Sequence, residues 1–153
     1  MDNLEYITAD LNSPLADVKM DLHDIPFEEN TFDIIFCNHV LEHVEDDIQC
    51  MKELCRVLKP GGWAILQSPV DINREKTFQD PNIISEDDRE KFYWQKDHVR
   101  LFGLDYKDKL ASAGFDVKVD DYIKEFSQEE VDRYRISSPM KDDAIYYCMK
   151  PKS

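Results

Sequence analysis

The chain has 153 residues, 42% hydrophobic and 11% aromatic, which suits one globular domain (residues 1–153) with a core of its own. Its 33 acids against 19 bases give a formal charge of -14, which repels phosphate backbones and anionic headgroups and so argues against a nucleic-acid or membrane-surface partner. No apolar run approaches a membrane span, and the opening "MDNLEYITAD" has neither a basic start nor an apolar signal core, so a cytoplasmic protein is expected.

In chain order, "LEYITAD" (4–10) reads as a strand closing on Asp10, and "ADVKMDL" (16–22) as a brief second strand closing on Asp21. "HDIPFEENT" has the Pro, Asn and charge of a loop. "FDIIFC" (32–37) and "WAILQS" (63–68) are compact apolar runs, the pattern of central parallel strands covered on both faces. Between them Ile48, Met51, Leu54, Cys55 and Leu58 recur at helical spacing behind Glu45, Asp46 and Asp47, whose charge suits a helix start. "KPGG" (59–62) is expected to stop that helix and turn the chain, completing one strand–helix–strand unit.

Residues 70–103 are irregular, with "SEDDREKF" a short helix at most. "DYKDKLASAG" (105–114) predicts a helix with Asp105 as N-cap and Gly114 just past its end. "FDVKVDDYI" alternates like a strand with one wet face, "SQEEVDRY" suggests a helical turn, and "AIYYCMK" a last strand. Cys37, Cys50, Cys55 and Cys148 have no metal-type spacing and sit in apolar segments, so four reduced, buried thiols are expected.

The string "PFEENTFDIIFCNHVLEHVEDDIQCMKELCRVLKPGGWAILQSP", with Ala-Gly-Phe-x-Val at Ala113 to Val117, resembles the class I S-adenosylmethionine-dependent methyltransferases of the type 11 group. The resemblance implies a Rossmann-like, doubly wound α/β sheet with an antiparallel last strand and S-adenosylmethionine across the C-terminal strand ends. It implies that Asp10, beside Leu11, receives the ribose hydroxyls, since a carboxylate offers several lone pairs. Asp21 with Leu22 would take the adenine, and Asn38 with His39 would face the methionine part of the cofactor and the substrate. The 70–103 segment would build a substrate pocket or lid, with Trp94, His98 and Arg100 touching a small-molecule acceptor. His39 and His98 are the candidate bases, because imidazole changes charge near neutral pH.

His39, Glu42 and His43 also spell His-x-x-Glu-His, the ligand order of inverted zinc peptidases. That motif needs a settled helix and a third, distant ligand, whereas this one spans the end of a strand. Some quinone-biosynthesis O-methyltransferases of the wider family bind a divalent cation through Glu-x-x-Glu-His at this place; here His39 replaces the first Glu, and no metal is expected.

The glycine-rich first motif of the resembled family has no counterpart, because no glycine precedes Gly61. Its first strand and helix are accordingly expected to be missing, with Met1 beginning at the family's second strand. Unpaired strand edges then predict a homodimer or a closed-up sheet. Two readings stay open: a methyltransferase of small molecules, inactive in this truncated form, and a non-catalytic methyltransferase-like domain that binds a partner or itself.

Overall fold

The computed structural model describes residues 4–136 and 144–152. The elements run β1 (Ala9–Asp10), β2 (Val18–Lys19), β3 (Phe32–Asn38), α1 (Asp47–Val57), β4 (Leu58–Gln67), α2 (Glu86–Tyr93), α3 (Tyr106–Ser112), β5 (Asp116–Asp120), α4 (Gln128–Tyr134) and β6 (Ile145–Met149), with a 3-10 turn at Tyr122–Glu125. The strands form two sheets. One is the parallel pair β1–β2; the other has the order β3-β4-β6-β5, with β3 and β4 parallel and β6 antiparallel to both neighbours. The antiparallel last strand is as expected.

Period-two alternation decides what faces the core. Cys37, Ala64, Leu66, Tyr146 and Cys148 are buried on one sheet face, against Cys50, Met51, Leu54 and Val57 of α1 and Tyr106 and Leu110 of α3. Helix α1 starts where the Asp46 carboxylate accepts the Gln49 amide, satisfying an otherwise orphaned donor. All four cysteines are free and buried, and burial pushes the Cys37, Cys50 and Cys148 thiols up to about 12.

Several expectations need correction. The strand expected over 4–10 is two residues long, as is the one expected over 16–22. Each finds a partner on one side only, so Leu4, Tyr6 and Ile7 stay exposed. Burial on both faces is not found for β3: Phe36, in mid-strand, is 67% exposed, and Ile34 lies on the same open face. Phe36, Trp63 and Tyr147 form an aromatic row across that face, with ring centroids 5.7 and 5.5 Å apart. "KPGG" does not stop the helix. Helix α1 ends at Val57, and the glycines lie inside β4, where the register slips from Phe32↔Leu58 to Ile34↔Trp63. Gly61 adopts φ 79°, and a Cβ on Gly62 would sit 2.9 Å from the Asp33 and Lys59 carbonyl oxygens.

Asp105 is the N-cap residue of α3, as expected, but its side chain makes no capping bond; its Oδ1 instead accepts the Thr77 amide and hydroxyl at 2.7 and 2.8 Å. That clamp, with the bridges Val70↔Phe102 and Phe78↔Leu101, folds the 70–103 segment back on itself beside the core. No helix among the described residues is long and apolar enough to cross a membrane.

Candidate active site and the turn that supports it

Strand β3 ends at a sharp corner. His39 takes φ 57°, a left-handed conformation unusual for this residue, and its amide donates to the Gln67 carbonyl at 2.8 Å, extending the pairing with β4 by one step. The chain then turns through residues 40–45 into α1. Arg100 organises this turn. Its side chain is fully buried, and its guanidinium donates to the carbonyls of Leu41 and Glu45 at 2.7 Å each, to that of Val44, and to Gln79 Oε1 at 3.2 Å. Asp47 Oδ2 lies 3.9 Å from Arg100 Nε and 3.0 Å from Lys109 Nζ, balancing the buried cation.

Glu42 sits on the same turn, 1% exposed. Its Oε2 accepts the Ser68 hydroxyl at 2.8 Å, while its Oε1 lies 3.4 Å from His39 Nδ1 and 4.0 Å from His98 Nε2. His98 is equally buried, and its Nδ1 meets the Tyr93 carbonyl at 2.8 Å. A carbonyl only accepts, so Nδ1 carries the proton and Nε2 presents a lone pair. Burial lowers the His98 pKa and favours this neutral form. The His43 ring stands edge-on to that of His98, centroids 4.7 Å apart, with its Nδ1 3.3 Å from both the carbonyl and the carboxylate of Asp97.

These positions revise two sequence-derived roles. Arg100 offers no fork to an acidic substrate, because its donors are spent on internal carbonyls, and His98 lies beneath the surface as a buried neighbour of Glu42 instead of as an accessible base. Trp94 closes α2 in a left-handed conformation (φ 74°) and is half-buried. His39 is the exposed member of the group, with a side chain 65% accessible at the mouth. Sequence reasoning missed Glu42 and Ser68. The one signal for Glu42 was its place in the His-x-x-Glu-His string; nothing local marked Ser68.

Asp10 and Asp21 stand at the C-terminal ends of the adjacent parallel strands β1 and β2, and Asn38 at that of β3. Asp10 Oδ1 accepts the amides of Asn12 and Ser13 at 2.7 and 2.6 Å, which lowers its pKa and leaves Oδ2 as a free acceptor. Asp21 Oδ1 accepts the His23 amide at 2.9 Å and contacts the ring Nδ1 at 2.7 Å, again leaving one oxygen and a lowered pKa. Leu11 is exposed and Leu22 packs partly against the core. Ionised carboxylates with one open oxygen at such strand ends suit vicinal hydroxyls and an exocyclic amine, so these residues fit the adenosine half of S-adenosylmethionine. No glycine precedes Gly61 in the chain, so neither β1 nor β2 is followed by one.

Comparison with known proteins shows what the chain is similar to. Residues 3–66 match the model of a family described as "Methyltransferase domain". The sterol 4-C-methyltransferase strm-1 of Caenorhabditis elegans is 26% identical over 147 residues, covering 95% of this chain and 39% of that protein. Among solved structures, the [4+2]-cyclase SpnF superposes with a TM-score of 0.59 at 17% identity, covering 88% of this chain and 56% of that one. Phosphoethanolamine N-methyltransferase 2 of Haemonchus contortus, solved with S-adenosyl-L-methionine, gives a TM-score of 0.51 at 20% identity, covering 86% of this chain and 36% of that one. The chain is thus similar to S-adenosylmethionine-dependent methyltransferases in sequence and fold, with the family match lying over residues 3–66, less than half of its length. It spans less than half the length of the curated relatives it matches.

Proposed function

We propose that the chain supplies the strand-end surface of an S-adenosylmethionine-dependent methyltransferase that acts on a small-molecule acceptor. The observation that carries this reading is that Asp10 and Asp21 close the parallel pair β1–β2 and Asn38 closes β3 of the parallel pair β3–β4, strand ends being where open α/β sheets take their ligands. When bound, the cofactor supplies an electrophilic methyl group for in-line displacement by a nucleophile of the acceptor. The chain's own residues bind and orient: Asp10 accepts from the ribose, Asp21 from the adenine amine, and Asn38 fixes the approach to the methionine end. His39, exposed and beside a buried carboxylate at 3.4 Å, takes a proton from an acceptor that must lose one. Residues 70–103, with Trp94, form the substrate-side wall.

Calorimetric titration of S-adenosylhomocysteine tests this, using the 153-residue chain beside a version extended by whatever residues the gene encodes upstream. Saturable binding by either form, weakened at least about tenfold by Asp10→Asn through loss of a charged hydrogen-bond acceptor, supports the reading. Binding by neither form leaves it without a ligand.

A second reading has its own support. Among the described residues strand β3 is paired along one edge only, β1–β2 does not pair with it, and Ile34 and Phe36 are exposed on its open face. Such an edge recruits another strand, which favours a homodimer or an assembly with a partner chain. The superposition on a cyclase also cautions that this fold hosts chemistry other than methyl transfer. We place the protein in the cytoplasm on its four free, buried thiols.

A further inference from the structure

The buried arginine beneath the β3 turn is connected to the candidate adenine acceptor by an unbroken run of hydrogen bonds. Arg100 Nη2 donates to the Glu45 carbonyl at 2.7 Å. That carbonyl and the Asp46 amide belong to one trans peptide group, whose C=O and N–H point in opposite directions. The Asp46 amide donates at 3.2 Å to Nε2 of His23, and Nδ1 of the same ring meets Asp21 Oδ1 at 2.7 Å. An amide nitrogen only donates, so Nε2 carries the lone pair and Nδ1 the proton of the neutral ring. Every bond of the run then points the same way, from a buried cation to a carboxylate, and each donor is strengthened by the bond behind it.

Neighbouring groups hold His23 in this place. Its own amide donates to the same Asp21 oxygen at 2.9 Å, and its carbonyl accepts from the Gln49 side chain, in the first turn of α1, at 3.3 Å. The Gln49 amide in turn donates to Asp46 Oδ1 at 2.9 Å. The end of β2 is therefore tied to the start of α1 through both the ring and the backbone of His23. Two donors from one residue fall on Oδ1 of Asp21, and Oδ2 is left to face a ligand as an acceptor. Without the ring a single amide would remain on Oδ1, and the carboxylate, whose terminal torsion is broad, would lose its fixed direction.

We propose that His23 is a positioning residue for the cofactor's base: it holds the Asp21 carboxylate with one oxygen outward, so that the site selects a purine bearing an exocyclic amine. The inference rests on the reading of Asp21 given under Proposed function. His23 also links the two ends of the site, because the peptide that orients its ring closes the turn that follows Asn38 and His39.

The test is calorimetric titration of whichever form binds S-adenosylhomocysteine, the 153 residues alone or the version extended upstream. Two ligands are compared: S-adenosylhomocysteine and an analogue with hydrogen in place of the purine 6-amine. The parent should prefer the amine by at least about tenfold, the weight of one hydrogen bond to a charged group. His23→Ala should bind S-adenosylhomocysteine about tenfold more weakly and the analogue within about twofold of the parent, so that the preference disappears. His23→Asn, whose amide nitrogen takes the place of Nδ1, should restore most of it. A residue that merely supports the fold would lower both affinities alike, as Asp10→Asn should, since the ribose is common to both ligands. Nitrogen-15 NMR of the ligand-free chain should show the neutral His23 ring protonated on Nδ1. No preference in the parent, a preference kept in His23→Ala, or a neutral ring protonated on Nε2 would overturn the proposal while the methyltransferase reading stands. No binding of S-adenosylhomocysteine by either form would remove that reading, and the proposal with it.

Discussion

The turn after β3 and the ribbon β1–β2 both carry candidate site residues at the ends of parallel strands, yet they are held in opposite ways. The turn is braced from beneath by a fully buried arginine and by a second segment that arrives from residues 93–100. The ribbon is held by its own Asp and Thr side chains: Asp17 Oδ2 accepts the Thr8 amide and hydroxyl, and Asp10 accepts from Asn12 and Ser13, all at exposed positions. Bonds that water can replace contribute little net stability, whereas buried bonds to a cation cannot be surrendered without desolvated carbonyls being left behind. Placement in the pairing order, more than residue type, separates a rigid site wall from a surface ribbon.

The largest effect should come from removing the brace. Arg100→Met is expected to destabilise the chain by about 3–5 kcal/mol in urea unfolding, because the Leu41, Val44 and Glu45 carbonyls lose their donor inside the core. Thr8→Ala in the ribbon should change stability by less than about 0.5–1 kcal/mol in the same experiment. Equal effects at the two positions would erase the contrast.

A smaller effect should appear where the two regions are tied together. Glu53 on α1 accepts from Arg56 at 2.7 Å and from the Ile25 amide at 3.0 Å, while Arg56 also donates to the Phe27 and Ile25 carbonyls, fixing the loop between β2 and β3 to the helix. The bond from Arg56, then that from the Ile25 amide, lowers the Glu53 pKa in the folded state. A depressed carboxylate contributes stability that is fully present above its unfolded pKa, roughly 4.3, and is lost as pH falls through the folded value. Glu53→Gln should therefore cost about 1–2 kcal/mol at pH 7, and that deficit should shrink as the urea midpoint is followed down below about pH 4.

The smallest change in stability should be at the bare edge. Phe36→Lys, on the open face of β3, should leave the urea midpoint within about 0.5 kcal/mol while reducing any concentration-dependent mass seen by light scattering. A parent chain that scatters as a monomer at all concentrations would remove the dimer reading, and with it this use of the open face.

The amino-acid sequence alone determined the elements whose signals are local: the apolar run of β3, the helical spacing and acidic start of α1, Gly114 after α3, and the alternation of β5 and β6. The family motifs placed Asp10, Asp21 and Asn38 at strand ends for the same reason. Only the tertiary structure decided how long β1 and β2 run, because a strand extends as far as a neighbour accepts its hydrogen bonds. It also moved "KPGG" from a helix stop into a bulged strand and, while leaving Asp105 as the N-cap residue of α3, turned its carboxylate to Thr77. Tertiary structure likewise drew Arg100 and His98 inward from a presumed substrate wall to the underside of the β3 turn. A guanidinium or an imidazole looks the same in a sequence whether it faces a ligand or three carbonyls. What separates the two is the company that residues more than fifty positions away bring to it, and that company exists only once the chain has folded.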